Sequence, residues 1–576
     1  NLFTLQDERV HSFLSISRGD LNQVSHLVTV GPGGGFAAAG YTYYYDQEFN
    51  RVRWRINPFE FFRQAYATDA LPKPDPTTLS GRRLYFSHID GDGWRNRSEI
   101  EKYAKEQALA AEAILKEAVE PYPDLPVTVG VIVGDLDRQS RMDEICRRIV
   151  RALFALPQVE PGSHTWTHPF NWKFFADYTP GKEEAIKSRQ EQGRGLLARW
   201  FGAGRGEGIV GETGDTGEDE PAHSPRAYDH VPYDLEREIA GSAEFLNRLA
   251  PPGKTVRLIQ WSGNTRPYEG ALAAVRRAGL RNINGGDTRL DEEYQSYGKV
   301  AALGMEVGRE RQIYASNSNE NTYTDLWTNR FFGFQKLIET VRNTEMPWRV
   351  KPFNIYYHMY SGQKLASLNA VLANLNYART QELAPVEAST YAGIAEGFYT
   401  TRFVGLGERR WRVEARGLLN TLRFDRATLL GVDFARSAGV VGQRHAMGAL
   451  YVALDPSVAE PVVALGELAA TDREPVADQP YLIQGRWRVS ALEHGRGGVR
   501  FLAHGFGTGE MLWQMPQPGR FTVEARAGGA ALWRAEFDSD PEGRLALTVP
   551  VPAVAPELEI AIFPSSPAPE SPGGGK

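Results

Sequence analysis

Two short runs hold residue types and spacings suited to chemistry. The first is His88-Ile89-Asp90-Gly91-Asp92-Gly93. Asp90 and Asp92 are two apart, so on an extended chain both point to one face. Two close carboxylates repel unless a cation lies between them or one takes a proton. Gly91 and Gly93 permit tight backbone geometry around the pair, although Asp-Gly-Asp-Gly is also ordinary turn chemistry. The second run is Gly162-Ser163-His164-Thr165-Trp166-Thr167-His168. Imidazoles four apart face one direction on a helical turn, which suits a divalent metal; the same two residues could serve as loop hydrogen-bonders. Taken together the runs offer an Asp/His/His ligand set, the usual frame of catalytic zinc, which also accepts cobalt, nickel or iron. The only cysteine is Cys146, which excludes an intramolecular disulfide and any multi-cysteine metal site.

These groups need elements to position them. Over 81–402 apolar strands alternate with helical patterns, so an α/β fold, a (β/α) barrel or a doubly wound sheet, is expected. Strands are expected at 84–89, 127–133, 256–261 and 353–358. Helices are expected at 98–118, 141–155, 182–201, 234–249, 268–278, 329–343 and 363–378. Residues 202–224 break the alternation and read as an insertion loop with an acidic stretch at 212–220. Residues 1–80 look too broken to bury their own core and read as an N-terminal arm or the remnant of a preceding domain. They close in the proline-rich linker 71–78. Over 403–564 short alternating segments separated by turns indicate a β-sandwich, and 565–576 a disordered tail. His88 and Asp90 fall near the carboxyl end of the first barrel strand, where parallel α/β folds gather their reactive groups.

Composition sets bounds. Hydrophobic residues make up 42% and charged residues 24% of 576, which are globular values. Lys plus Arg is 65 against 71 Asp plus Glu, so nucleic acid is not an expected partner. No apolar run is long enough to span a bilayer. The chain opens on Asn1 rather than Met, as expected of a processed or excised chain.

The two runs resemble the first two motifs of the polysaccharide deacetylases of carbohydrate esterase family 4. Arg266-Pro267-Tyr268, Asp287 in Asn284-Gly285-Gly286-Asp287, and His358 at the end of 353–358 follow in the order of that family's remaining motifs. The family's two aspartates are adjacent, whereas here Gly91 stands between them. Trp54–Phe61, His88–Gly93, Ser163–Phe170 and Asn317–Tyr323 resemble more narrowly the Pel exopolysaccharide deacetylases, over most of 50–400. The resemblance implies a deacetylase-type (β/α) barrel that removes acetyl groups from an N-acetylhexosamine polymer, rich in N-acetylgalactosamine, in a bacterial periplasm. It implies zinc held by Asp92, His164 and His168, and attack by a water activated there. Asp90 would be the base, Arg266 its partner, His358 the acid and Asp287 the group supporting His358. His88 would stand behind the ligands rather than among them. Trp166, Trp261 and Tyr268 would contact the sugar, with Tyr323 and Trp327 as further stacking candidates, and a backbone N–H near Tyr268 would help hold the oxyanion. The partners implied are the N-acetylated polysaccharide and a second exopolysaccharide-secretion protein. Two other classes compete: a glycan-binding scaffold that retains the fold without turnover, and a metal-free glycosidase using Asp90 and Asp92. For the latter, residues two apart are poorly placed to flank a scissile bond.

Overall fold

The structure, a computed structural model, describes residues 2–48, 51–186, 224–468, 474–495, 497–550 and 557–565. The insertion at 202–223 with its acidic stretch, residues 187–201 of the expected helix 182–201, and residues 566–576 of the expected tail lie outside them.

A parallel sheet forms the centre of the α/β region. Its strands are β1 (Arg82–Asp90), β2 (Val127–Val131), β3 (Val159–Ser163), β4 (Leu258–Gln260), β5 (Arg281–Ile283), β6 (Phe353–His358) and β7 (Leu383–Pro385). The order is β5-β4-β3-β2-β1-β6, and β7 also pairs with β1. The pattern within β1 explains how the sheet is used. Tyr85 and Ile89 point outward into a helix-covered core with Val127, Val129, Val131, Ile355 and Tyr357. Leu84 and Phe86 point inward into a second core, and His88 and Asp90 continue that inward row. The inner face therefore changes from apolar to polar toward the carboxyl ends of the strands.

Helices α1 (Arg141–Ala155), α2 (Glu269–Arg277), α3 (Leu365–Arg379) and α4 (Ala388–Thr400) surround the sheet. α1 starts where Ser140 and Asp143 cap each other reciprocally. The expected helix over 98–118 is instead broken into Glu101–Ala104, Ala110–Ile114 and a π turn at Leu115–Val119. Gln107 takes a left-handed φ of 54°, and Ala108 O accepts from Ser98 N, so the chain turns back on itself there.

The expected barrel is an open curl. Among the described residues no strand pairs β5 to β6. Residues between them close the gap with side chains: Gln312 Nε2 donates to Asn284 O at 2.8 Å, and Asn317 Nδ2 donates to Asn354 O at 2.9 Å. Polar side chains thus do the work of missing ladder bonds.

The C-terminal region holds a four-stranded, a seven-stranded and a five-stranded sheet. Trp487, Phe501, Trp513, Phe521 and Ile560 fill one core here. A second core runs from Leu84 and Phe86 of β1 through Tyr391 of α4 to Leu422, Leu450 and Val452. The α/β region and the β region thus share a hydrophobic interior. The expected linker at 71–78 belongs to this junction: Lys73–Pro74 pairs with the strand Thr421–Phe424, and Asp75 and Thr77 are buried. Within 2–70, strands His11–Arg18, Gln23–Gly31 and Gly34–Ala37 make a small antiparallel sheet, of whose apolar residues only Leu27, Val28 and Val30 are buried. Among the described residues no helix is long and apolar enough to cross a membrane.

Candidate metal and catalytic site

β1 and β6 run side by side with Asp90 opposite His358 and His88 opposite Tyr356. Because parallel neighbours share a face, these four inward side chains converge by register alone. His358 Nε2 lies 3.8 Å from Asp90 Oδ2. The chain then turns at Gly91-Asp92-Gly93, which brings Asp92 back over the sheet end. Gly93 has φ +76°, and a Cβ there would lie 2.4 Å from that of Tyr360, so the turn requires glycine.

The histidine loop enters from β3. His164 N donates to Val131 O at 3.0 Å, and His164 Nδ1 lies 2.9 Å from Gln260 O. A carbonyl can only accept, so Nδ1 carries a proton and Nε2 is the ring nitrogen facing Asp92. His164 Nε2 is 3.1 Å from Asp92 Oδ2, and His168 Nε2 is 3.0 Å from Asp92 Oδ1. Thr165 and His168 both adopt left-handed φ values, 70° and 53°. Such residues cost on the order of 1–3 kcal/mol each and persist only where their surroundings enforce them.

The cluster Asp92, His164 and His168 fits a divalent cation in both donor type and arrangement, its ligand atoms all within 4.8 Å of one another. A second grouping of Asp90, Asp92 and His358 meets the same condition. Asp90 Oδ1, Asp92 Oδ2 and both ring nitrogens of His168 are buried without a sound hydrogen bond among the described residues. Buried polar atoms are costly unless satisfied, and a cation between them would satisfy several at once. Burial alone would push the Asp92 carboxyl up; the imidazoles of His168 and His164 outweigh it and hold the group well below the usual carboxylate range.

Two neutral donors meet Asp90. Tyr356 Oη donates to Asp90 Oδ2 at 2.7 Å, and Asn284 Nδ2 donates to the same oxygen at 2.9 Å. Asn284, at φ 98°, also bonds His88 Nε2 through Oδ1 at 3.0 Å. Burial pushes the His88 imidazole down to about 4, against the pull of Asp90, so a neutral ring donates to Asn284. His88 thus stands behind Asp90. Arg266 is exposed, in the turn before α2. The carboxylate of Glu320 faces Nδ1 of His358. Glu320 Oε2 is 3.0 Å from His358 Nδ1, while Oε1 accepts from His358 N at 2.7 Å and from Ser361 Oγ at 2.8 Å. Asp287 is exposed, with Oδ2 3.8 Å from Lys299 Nζ.

The expected sugar-facing aromatics divide. Trp261 is fully buried, its Nε1 bonded to Asn282 Oδ1 at 3.0 Å and its ring edge-on to Trp172 at 4.9 Å. Being odd in the alternation of β4, it points to the helix side, away from the site. Tyr268 is half-buried at the start of α2 against the same cluster. Trp166 is half-buried, donates to Asp137 Oδ2 at 2.9 Å and borders a groove with Asp234, Arg237 and Glu244. Tyr323 and Trp327 are buried. Trp327 lies 4.3 Å from Tyr360, which stacks on His358 at 4.7 Å.

Glu320, Asn284 and Tyr356 are the residues contacting Asp90 and His358 that sequence reasoning left without roles. All three lie in segments with visible signals: the polar run 317–321, the Asn-Gly-Gly turn, and the inward alternation of β6.

No family model matches the chain, and no curated protein matches it. Solved structures similar to it include a 4-alpha-glucanotransferase from Thermococcus litoralis at 8% identity, covering 83% of this chain and 99% of that one, with a TM-score of 0.28. A glycoside hydrolase family 30 xylanase from Clostridium acetobutylicum shares 10%, covering 86% and 99%, at 0.19. Endo-glycoceramidase II from Rhodococcus sp. shares 10% over the same shares of the chains, at 0.21. These values assign this chain neither a family nor an activity.

Proposed function

We propose that the chain is a metal-dependent polysaccharide N-deacetylase that hydrolyses the acetamide of an N-acetylhexosamine polymer. The observation that carries this reading is one carboxylate, Asp92, facing two imidazoles at 3.0–3.1 Å beside a buried Asp90–His358 pair. Asp92, His164 and His168 would hold the ion, zinc by the donor set. When bound, such an ion polarises a carbonyl and acidifies water.

The chain's own groups supply the proton transfers. Asp90 accepts the proton of the attacking water. Its Oδ2 is fixed by Tyr356 and Asn284, so Oδ1, which makes no hydrogen bond among the described residues, is the oxygen available for that task. His358 delivers a proton to the departing amine from Nε2, with Nδ1–H held on Glu320 Oε2. This orientation fixes the tautomer and favours the protonated ring that an acid requires. An amide needs both services, because its amine leaves only when protonated. The paired Asp90 and Asp92 are poorly suited to a glycosidase, since they lie on one side of the site with oxygens within 4.8 Å. The likeness to Pel deacetylases extends the proposal to a galactosamine-rich exopolysaccharide in the periplasm, with a secretion protein as second partner.

The test is acetate release from N-acetylhexosamine oligomers after chelation and zinc add-back, beside Asp92→Asn and His164→Ala. Release restored by zinc in the unaltered chain and lost in both variants is expected. Glycan binding with zinc bound but no release would replace this reading with a non-catalytic scaffold.

A further inference from the structure

Both candidate imidazole ligands sit on one loop, and that loop is clamped from a helix the catalytic reading does not use. The helical segment turns as a π helix over Arg237–Gly241 and continues as α over Ser242–Asn247. Single π turns inside helices recur at functional sites. Here the turn carries Glu238, which is fully buried. Glu238 Oε2 accepts from Trp166 N and Thr167 N, both at 2.9 Å, and Oε1 accepts from Thr167 Oγ at 2.5 Å. All three donors lie between His164 and His168. One turn on, Ser242 Oγ meets Ser163 Oγ at 2.7 Å, and Ser163 Oγ accepts from Thr165 N at 3.1 Å. The loop's other edge is tied by Val133 N to Thr165 O and Gly134 N to Trp166 O.

We infer that Glu238 is a positioning residue for the metal site, holding the backbone of 165–168 so that both imidazoles meet Asp92. The inference rests on the metal reading above. A buried carboxylate is costly and is retained where its bonds are needed. All of the hydrogen bonds of this one fall on a segment with left-handed φ at Thr165 and at His168, a conformation that side chains resist. Without the acceptor, the two peptide N–H groups lose their common partner and the loop relaxes toward ordinary φ. His164 keeps its tie to Gln260 O, so His168 is the ligand that drifts. Outer contacts of this kind typically change metal affinity about 10- to 100-fold.

The experiment uses the full chain stripped of metal by chelation and titrated with zinc by calorimetry and with cobalt(II) by visible absorption. Glu238→Ala should weaken zinc binding about 10- to 100-fold and alter the cobalt(II) spectrum. Glu238→Gln, which keeps an acceptor at the same place, should stay within about threefold of wild type. Glu238→Ala with wild-type zinc affinity and cobalt spectrum overturns the inference. So does Glu238→Gln losing as much as Glu238→Ala, because the effect would then follow charge rather than loop geometry. A wild-type chain that binds no zinc overturns the metal reading itself, a distinct result. If Glu238→Ala lacks a cooperative melt, Thr167→Val, which removes only the hydroxyl contact, takes its place. A loss of about threefold or more supports the clamp, and unchanged affinity overturns it.

Discussion

Replacing Glu320 by Gln tests the acid half of the proposed chemistry and separates two carboxylates that could serve it. Glu320 is buried and holds His358 through both Nδ1 and the backbone N–H. A Gln side chain is isosteric, but only one of its end atoms accepts. If Oε1 keeps His358 N, the amide Nε2–H₂ meets Nδ1–H donor to donor, and the ring must lose that proton or turn away. Hydrogen bonds to charged groups are worth about 1.5–3 kcal/mol, which converts to roughly 10- to 100-fold in kcat if the bond supports the protonated ring in the transition state. KM should change little, because Glu320 touches His358 and not the open face of the site. The alkaline limb of kcat against pH should also move to lower pH, since removing a carboxylate beside an imidazolium lets its proton leave sooner. Asp287→Asn is the comparison. That residue is exposed beside Lys299, where charge pairs contribute at most about 1 kcal/mol, and its kcat should stay within about threefold with the limb in place. Acetate release across a pH series reads both variants. Wild-type kcat and pH limb in Glu320→Gln, with both changed in Asp287→Asn, would refute the reasoning and return the supporting role to Asp287.

Two further outcomes concern stability. Glu160 is buried against Thr128 and Ser389, and burial first, then the charge of Glu387, pushes its carboxyl up from 4.5 to about 7. A raised carboxyl favours the folded state fully below about pH 4.5, and that contribution is lost as pH rises through about 7. The interval corresponds to roughly 3 kcal/mol. Glu160→Gln should therefore gain on wild type in unfolding free energy between pH 5 and pH 8, and a pH-independent difference in denaturant titrations would count against this. Leu422→Ala opens a cavity in the core shared with β1 and should cost about 2–5 kcal/mol. Scanning calorimetry should show the transition that includes the metal site moving down with it; a zinc-linked transition that stays put would show that the regions unfold separately.

The division between what was legible and what was not follows the range of the interactions. The alternation in Leu84–Asp90 and in Phe353–His358 is a period-two pattern, and local order alone puts His88 with Asp90 and Tyr356 with His358, while the strand register brings the two pairs to one face. The His164–His168 spacing and the Gly-flanked aspartates are equally local, so the cluster of Asp92 with both histidines could be expected before any coordinates. Partner choice at longer range was not so constrained. Sequence order offered only Asp287 as an acid for His358; Glu320, which lies inside with three donors on it, carries no local mark that pairs it with that ring. Nor does any local pattern pair Asp90 with Asn284 and Tyr356, the neutral donors that meet its Oδ2 on the inner strand face. Trp261 carries no mark in the sequence that separates a sugar platform from a core filler; only the side of β4 on which it emerges does so. The open edge between β5 and β6, the clamp of Glu238 on a loop about 70 residues before it, and the core joining β1 to the C-terminal sheet likewise depend on which elements meet. Local periodicity determines the face a residue occupies, whereas the identity of its neighbour depends on chain segments brought together only by the packing of the whole fold.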